Sequence, residues 1–183
     1  MIALAIIGGV LIVLLVLVVI TYNKFVRYST IVEEAFSTMD VYLRKRWDLI
    51  PNLVNVVKGY AEYEKDTLSQ IINLRNMNYN SMNINDKVDA ENRISSGISR
   101  IFGIAEAYPA LKADGNFNNL MNQLAAIEND IANGRKYYNG AVKQYNILVE
   151  SFPSNIIASI FNYKKMKMFQ TEEQTRANVE VKF

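Results

Sequence analysis

Residues Ile2 to Ile20 read IALAIIGGVLIVLLVLVVI, nineteen positions without a charge, fifteen of them Leu, Ile or Val. As an α-helix this stretch is roughly 28 Å long, close to a bilayer hydrocarbon core of about 30 Å. Each such residue near the centre of a span favours insertion by roughly 0.3–0.6 kcal/mol, so the sum is several kcal/mol towards the membrane. Ile2, Leu11, Leu15 and Ile20 mark the ends and middle of this span. A cleaved secretory leader is the alternative and fits poorly. No Lys or Arg precedes the run, and it exits through Thr21-Tyr22-Asn23-Lys24 rather than a small-x-small cleavage site. Residues 1–22 are therefore read as an uncleaved transmembrane anchor. Lys24 and Arg27 follow directly, and Arg44, Lys45 and Arg46 come later. The positive-inside rule then leaves a short N-terminal stub outside and residues 23–183 in the cytoplasm. Ala5 and Gly9, four apart, would permit close approach of two spans; two small residues in an ordinary anchor give the same pattern.

Beyond the span, only three prolines and eight glycines punctuate 183 residues, which makes long helices the default. Phe25, Ser29, Val32, Phe36, Met39 and Leu43 recur at spacings of four and three, one face of a helix that continues from the span without a breaker. Pro51 is the difficulty. In mid-helix it costs roughly 3 kcal/mol, but in a first turn it costs little, because the N–H groups there lack intrahelical partners. Asp48 is a suitable N-cap, so the spacing predicts a turn near Arg46–Asp48 and a second helix folding back from Leu49. A single kinked helix is the alternative. The second helix carries Leu53, Val56, Tyr60, Thr67, Ile71 and Leu74 on one face and fades into an asparagine-rich loop over residues 76–89. Ile94, Ile98, Ile101, Ala105 and Tyr108 define a third, ending near Pro109. Asp114 can cap a fourth and longest, with Phe117, Leu120, Leu124, Ile127, Ile131, Tyr138, Val142, Tyr145 and Val149, which stops before Pro153. The expected fold is all-α: an N-terminal transmembrane helix followed by an antiparallel up-and-down four-helix bundle over residues 23–150.

In such a bundle the fourth helix returns towards the bilayer and delivers residues 151–183, an amphipathic helix and a tail, to it. Ser154 can cap a short helix bearing Ile156, Ile157, Ile160 and Phe161, followed by Lys164, Lys165 and Lys167. Apolar side chains beside cations suit an anionic leaflet; packing on the end of the bundle, or on another subunit, is the alternative. Arg44, Arg46 and Trp47 would sit at the far tip, a candidate partner or self-assembly contact because Trp and Arg are favoured at interfaces, or else a solvated helix end. Glu33, Glu34, Asp40, Glu128 and Asp130 are candidates for interhelical ion pairs. Glu128, four after Leu124, is expected to face inward against Arg75 or Arg135.

Three stretches carry a resemblance: YNKFVRYSTIVEEAFSTMDVYLRKRWDLIPNLVNVVKGYAEYEKDTL, AYPALKADGNFNNLMNQLAAIENDIANGRKYYNGAVKQYN and FPSNIIASIFNYKKMKMF, with the ending VEVKF. Together they closely resemble the LemA family over nearly the whole chain; the asparagine-rich stretch over 76–89 is the departure. The resemblance implies a bacterial protein of the inner membrane, anchored by one pass, with a short external N-terminus and long antiparallel helices. It implies no catalytic or cofactor site, and it links relatives to membrane remodelling and to magnetosome-type organelles.

The chain has neither Cys nor His, which removes thiol and Ser-His catalysis and His-ligated metal, and no glycine-rich phosphate loop is present. With 20 basic and 18 acidic residues there is no basic stripe for nucleic acid. An enzyme is disfavoured, and no catalytic, cofactor or metal residue is assigned. The first functional reading is a membrane-anchored structural protein, a homo-oligomer that shapes or organises the bilayer. The second is a membrane-tethered adaptor that recruits a protein partner without forming a large homo-oligomer.

Overall fold

The computed structural model describes residues 1–75 and 79–169. Its first helix, α1 (Ile2–Lys58), runs 57 residues without interruption, roughly 85 Å, with Pro51 inside it. The turn expected at Arg46–Asp48 is absent: Asp48 lies within the helix, and the chain reverses at Gly59–Ala61 instead. Packing accounts for the difference. Ile50, Leu53, Val54 and Val57 flank the proline and are all buried. At about 1.5–3 kcal/mol per buried apolar side chain their burial outweighs the roughly 3 kcal/mol that a mid-helix proline costs. The segment from Leu49 to Lys58 therefore completes α1 rather than starting its partner.

The remaining helices are α2 (Lys65–Arg75), α3 (Ile84–Ala107), the single turn α4 (Pro109–Lys112), α5 (Gly115–Glu150) and α6 (Ser154–Ile160). Asn83 caps α3 by accepting from Asp86 N, and Asp114 caps α5 by accepting from Phe117 N. The asparagine-rich stretch is therefore shorter as a loop than expected, because residues from Ile84 onward are helical; residues 76–78 and the side chains of Leu74 and Arg75 lie outside the description. Likewise α1, not the last long helix, is the longest.

The topology is up-down-up-down. Along α1 and α5, Phe25 meets Tyr145, Phe36 meets Tyr138 and Arg46 meets Glu128, so the two run antiparallel. Gly134 of α5 passes so close to α1 that a Cβ there would stand 2.9 Å from Met39 Cγ. α2 and α3 are antiparallel through Arg100 and Gln70, and α3 runs parallel to α1, with Lys87 over the Phe36 ring and Glu91 beside Arg46.

The core divides in two. A membrane-proximal cluster holds Phe25, Val32, Phe36, Met39, Leu43, Ile131, Tyr138 and Tyr145. A distal cluster holds Ile50, Leu53, Val57, Leu68, Ile94, Ile98, Ile101 and Leu124. Below them the apolar span is largely uncovered, with Val18 partly buried against the proximal cluster: no residue of its most apolar 18-residue window is buried, whereas a soluble core helix would be mostly buried. The helix is long and apolar enough to cross a membrane.

Candidate functional site

Between the two apolar clusters lies a charged layer. Arg46, predicted at an exposed tip, is fully buried in mid-helix and cannot serve as a surface contact. Its guanidinium donates to the carboxylate of Glu91, to Glu128 Oε1 at 2.9 Å and to Ser95 Oγ at 3.0 Å. Burial alone would lower the Arg46 pKa, but the two carboxylates outweigh it and the net direction is upward. Trp47 is half-buried and donates from Nε1 to Glu91 Oε1 at 2.7 Å. Glu128 does turn inward as expected, but its partner is Arg46; Arg135 instead donates to Ser95 Oγ at 2.8 Å, and the side chain of Arg75 is outside the described residues. Asp40 pairs along its own helix with Arg44 at 2.8 Å, not across to a neighbour, and accepts from the Tyr79 hydroxyl at 3.3 Å. Burial first, then the Glu91 and Asp40 carboxylates, raise the Tyr79 pKa. Arg44 is exposed. The layer is a structural clamp in which Arg46 faces the carboxylates of Glu91 and Glu128, and Asp40 faces Arg44. Glu91 was legible in principle, since it precedes Ile94 by three and Ile98 by seven on the inward face.

The second arrangement lies at the exit of the span. Here α5 ends, and the Ser154 hydroxyl donates to the carbonyls of Leu148 at 2.6 Å and Ser151 at 2.9 Å. It thus ties off the C-terminus of α5 and makes no side-chain cap on α6, contrary to the expectation from sequence. Ile157 and Ala158 enter the proximal core, whereas Ile156, Ile160 and Phe161 face out. The Phe161 ring lies 4.9 Å from Tyr22, the first aromatic after the span, and Tyr163 stacks on Phe25 at 4.5 Å. Asn162 adopts φ of 58°, a left-handed conformation that Asn tolerates well, and turns the chain back along the bundle.

Residues 163–169 then climb α5 in extended form. Asn146 bonds both Met166 N and Met166 O, each at 2.9 Å, and Asn139 does the same for Phe169 N (2.9 Å) and O (3.0 Å). The register follows from geometry: seven helical residues rise about 10.5 Å and three extended ones about 10 Å. This pairing was missed from sequence because its signal, two asparagines seven apart, means nothing without the segment that runs beside them. The lysines separate accordingly. Lys165 pairs with Glu150 at 2.7 Å and Lys167 with Asp89 on α3, so the expected basic cluster is divided. Lys164 is exposed and makes no ion pair among the described residues.

The LemA family profile matches residues 35–183. Magnetosome protein MamQ 2 of Paramagnetospirillum magneticum is 23% identical over 175 residues, covering 81% of this chain and 64% of the relative. Magnetosome protein MamQ of Magnetospirillum gryphiswaldense is 21% identical over 174 residues with the same coverage. Protein LemA of Metamycoplasma hominis is 23% identical over 159 residues, 86% of this chain and 73% of that protein. The chain thus spans 64%, just under two thirds, of the magnetosome relatives it matches.

Proposed function

The chain belongs to the LemA family, and from that premise we propose that it is a membrane-anchored structural protein that self-associates and shapes or organises the bilayer, without catalysis of its own. One observation carries the reading: α1 continues from the span into the bundle as a single helix, with no Gly or Pro between Asn23 and Asp48. A flexible linker would let the soluble part wander. A continuous helix packed along α5 transmits the orientation of one to the other, which a protein that sets membrane geometry requires. The largely uncovered span supports assembly. Gly8 and Gly9 have nothing within 4 Å of an added Cβ, so their small surfaces remain available to a neighbouring helix. Lys24 and Arg27 favour a cytoplasmic bundle under the inner membrane of a bacterium. The names of the magnetosome relatives are consistent with work at an organelle membrane.

The test is the size of the full-length protein extracted in detergent, followed by electron microscopy of the protein returned to bilayers. A large homo-oligomer with altered vesicle shape is expected. A monomer that leaves vesicles unchanged but co-purifies with another protein would refute self-assembly and favour the adaptor.

A further inference from the structure

The outward face of residues 152–164 is apolar where a soluble bundle would be polar. Phe152 is 80% exposed, Ile156 51%, Ile160 69% and Phe161 46%. These residues are not scattered. The α6 helix is held rigidly, with Ser154 bonded to the end of α5 and Ile157 and Ala158 in the core. The cluster also continues directly into the span, because Phe161 packs on Tyr22. Whatever surrounds the end of the span therefore reaches Phe161 and its neighbours as well.

We propose that this face is a second membrane contact, a foot that seats Phe152, Ile156, Ile160 and Phe161 in the headgroup–acyl boundary of an anionic leaflet beside the span. It rests on the reading that residues 2–20 insert. Lys164, exposed next to Phe161 and Tyr163, supplies a cation to the headgroups, joined by Lys24 and Arg27, which are exposed on the first turns of α1 past Tyr22. Lys165 and Lys167 take no part, since Glu150 and Asp89 hold them to the bundle. The physical logic is that of an interfacial helix: apolar side chains a few ångströms deep, cations at the headgroups. Two contacts, one span and one foot, fix the tilt of the rod where a lone span would leave it free to lean.

The chain has no cysteine, so single labels are unambiguous. Full-length Ile160→Cys, Leu15→Cys and Tyr63→Cys proteins are labelled with an environment-sensitive fluorophore and reconstituted at about one chain per vesicle, in phosphatidylcholine with or without phosphatidylglycerol. Tyr63, 96% exposed beyond the turn after α1, is the control in water. The proposal expects blue-shifted emission at position 160, quenched by lipids carrying a nitroxide near the headgroup. It expects deep quenching at 15 and none at 63. Lys164→Glu should weaken the quenching at 160 in vesicles containing phosphatidylglycerol and leave it unchanged in phosphatidylcholine. A wet label at 160 with a lipid-quenched label at 15 overturns the foot alone. A blue-shifted label at 160 that lipid nitroxides do not quench also overturns it, because protein then covers the face. A wet label at 15 overturns the anchor, and this inference with it. If Lys164→Glu has equal effect in both lipids, the preference for anionic headgroups is refuted.

Discussion

Replacing Arg46 with methionine tests whether the charged layer behaves as a coupled unit. Arg46 and Glu91 are both fully buried, and the Glu91 carboxylate accepts from the Arg46 guanidinium and the Trp47 indole, with the Tyr79 hydroxyl beside it. Arg46→Met keeps the length of the stem but leaves the Glu91 carboxylate inside the protein without its ion-pair partner. Breaking a buried pair from one side costs about 3–5 kcal/mol. For a protein of this size each kcal/mol lowers Tm by about 2–4 °C, so a loss of roughly 6–20 °C is expected. The double variant Arg46→Met/Glu91→Leu removes both charges. Glu128, with a side chain 32% exposed, can turn to water, leaving the Trp47 N–H without its acceptor at a cost of about 1–3 kcal/mol. Packing gained at the two apolar positions offsets this, because replacing a buried pair by apolar residues is often neutral or stabilising. The double variant should therefore be more stable than the single one. The assay is thermal unfolding of the detergent-solubilised full chain followed by far-ultraviolet circular dichroism. A single variant within about 1 kcal/mol of the parent, or a double variant no better than the single, would refute the argument that the clamp works by mutual compensation.

Spin labels at positions 30 and 55 should report a separation of about 37 Å, twenty-five helical rises; a distance near 20 Å or less would restore the hairpin at Arg46–Asp48. Gly134→Ala and Gly140→Ala should move stability in opposite directions. At Gly140 nothing lies within 4 Å of an added Cβ, so the variant gains up to about 1 kcal/mol of helix propensity. At Gly134 the new methyl meets Met39 Cγ at 2.9 Å, and overpacking of about 1–3 kcal/mol exceeds that gain; urea midpoints of both variants check the signs. The Asp114 pKa is lowered, chiefly by the Phe117 backbone N–H and then by the Tyr60 hydroxyl. Its folded value lies below its unfolded one, so its contribution is present above the ordinary carboxylate range and is lost as pH falls through the folded value. Asp114→Asn should therefore flatten the fall of Tm on acidification below about pH 4, and an unchanged profile would contradict the assignment.

Much of this molecule is local, and local features are legible in a sequence. The apolar span needs no partner to be recognised. The faces Phe25–Val32–Phe36–Met39–Leu43 and Ile94–Ile98–Ile101–Ala105 are buried, except for details at their ends, as a 3.6-residue period requires. Asp114 caps α5 through a bond to a residue three positions on. The short helix beyond α5 and its return to the mouth of the span also follow from helix count and direction. The prolines mark two true boundaries, at Pro109 and Pro153, and one false one.

The false one shows where sequence reasoning ends. Whether Pro51 breaks α1 depends on a comparison between a fixed local cost and the burial of Ile50, Leu53, Val54 and Val57 by helices that come later in the chain. Three basic residues and a tryptophan read as a solvated tip until the third of them meets Glu91, 45 positions away, and Glu128, 82 positions away. Lys165 and Lys167 look like one cluster with Lys164 until Glu150 and Asp89 separate them. Periodicity, capping and length are set by neighbours along the chain, so the amino-acid order alone determined the span, the helical faces and the up-and-down plan. Burial of charge and tolerance of a proline depend on partners brought together only by folding, because the energies that decide them are pairwise terms between distant residues.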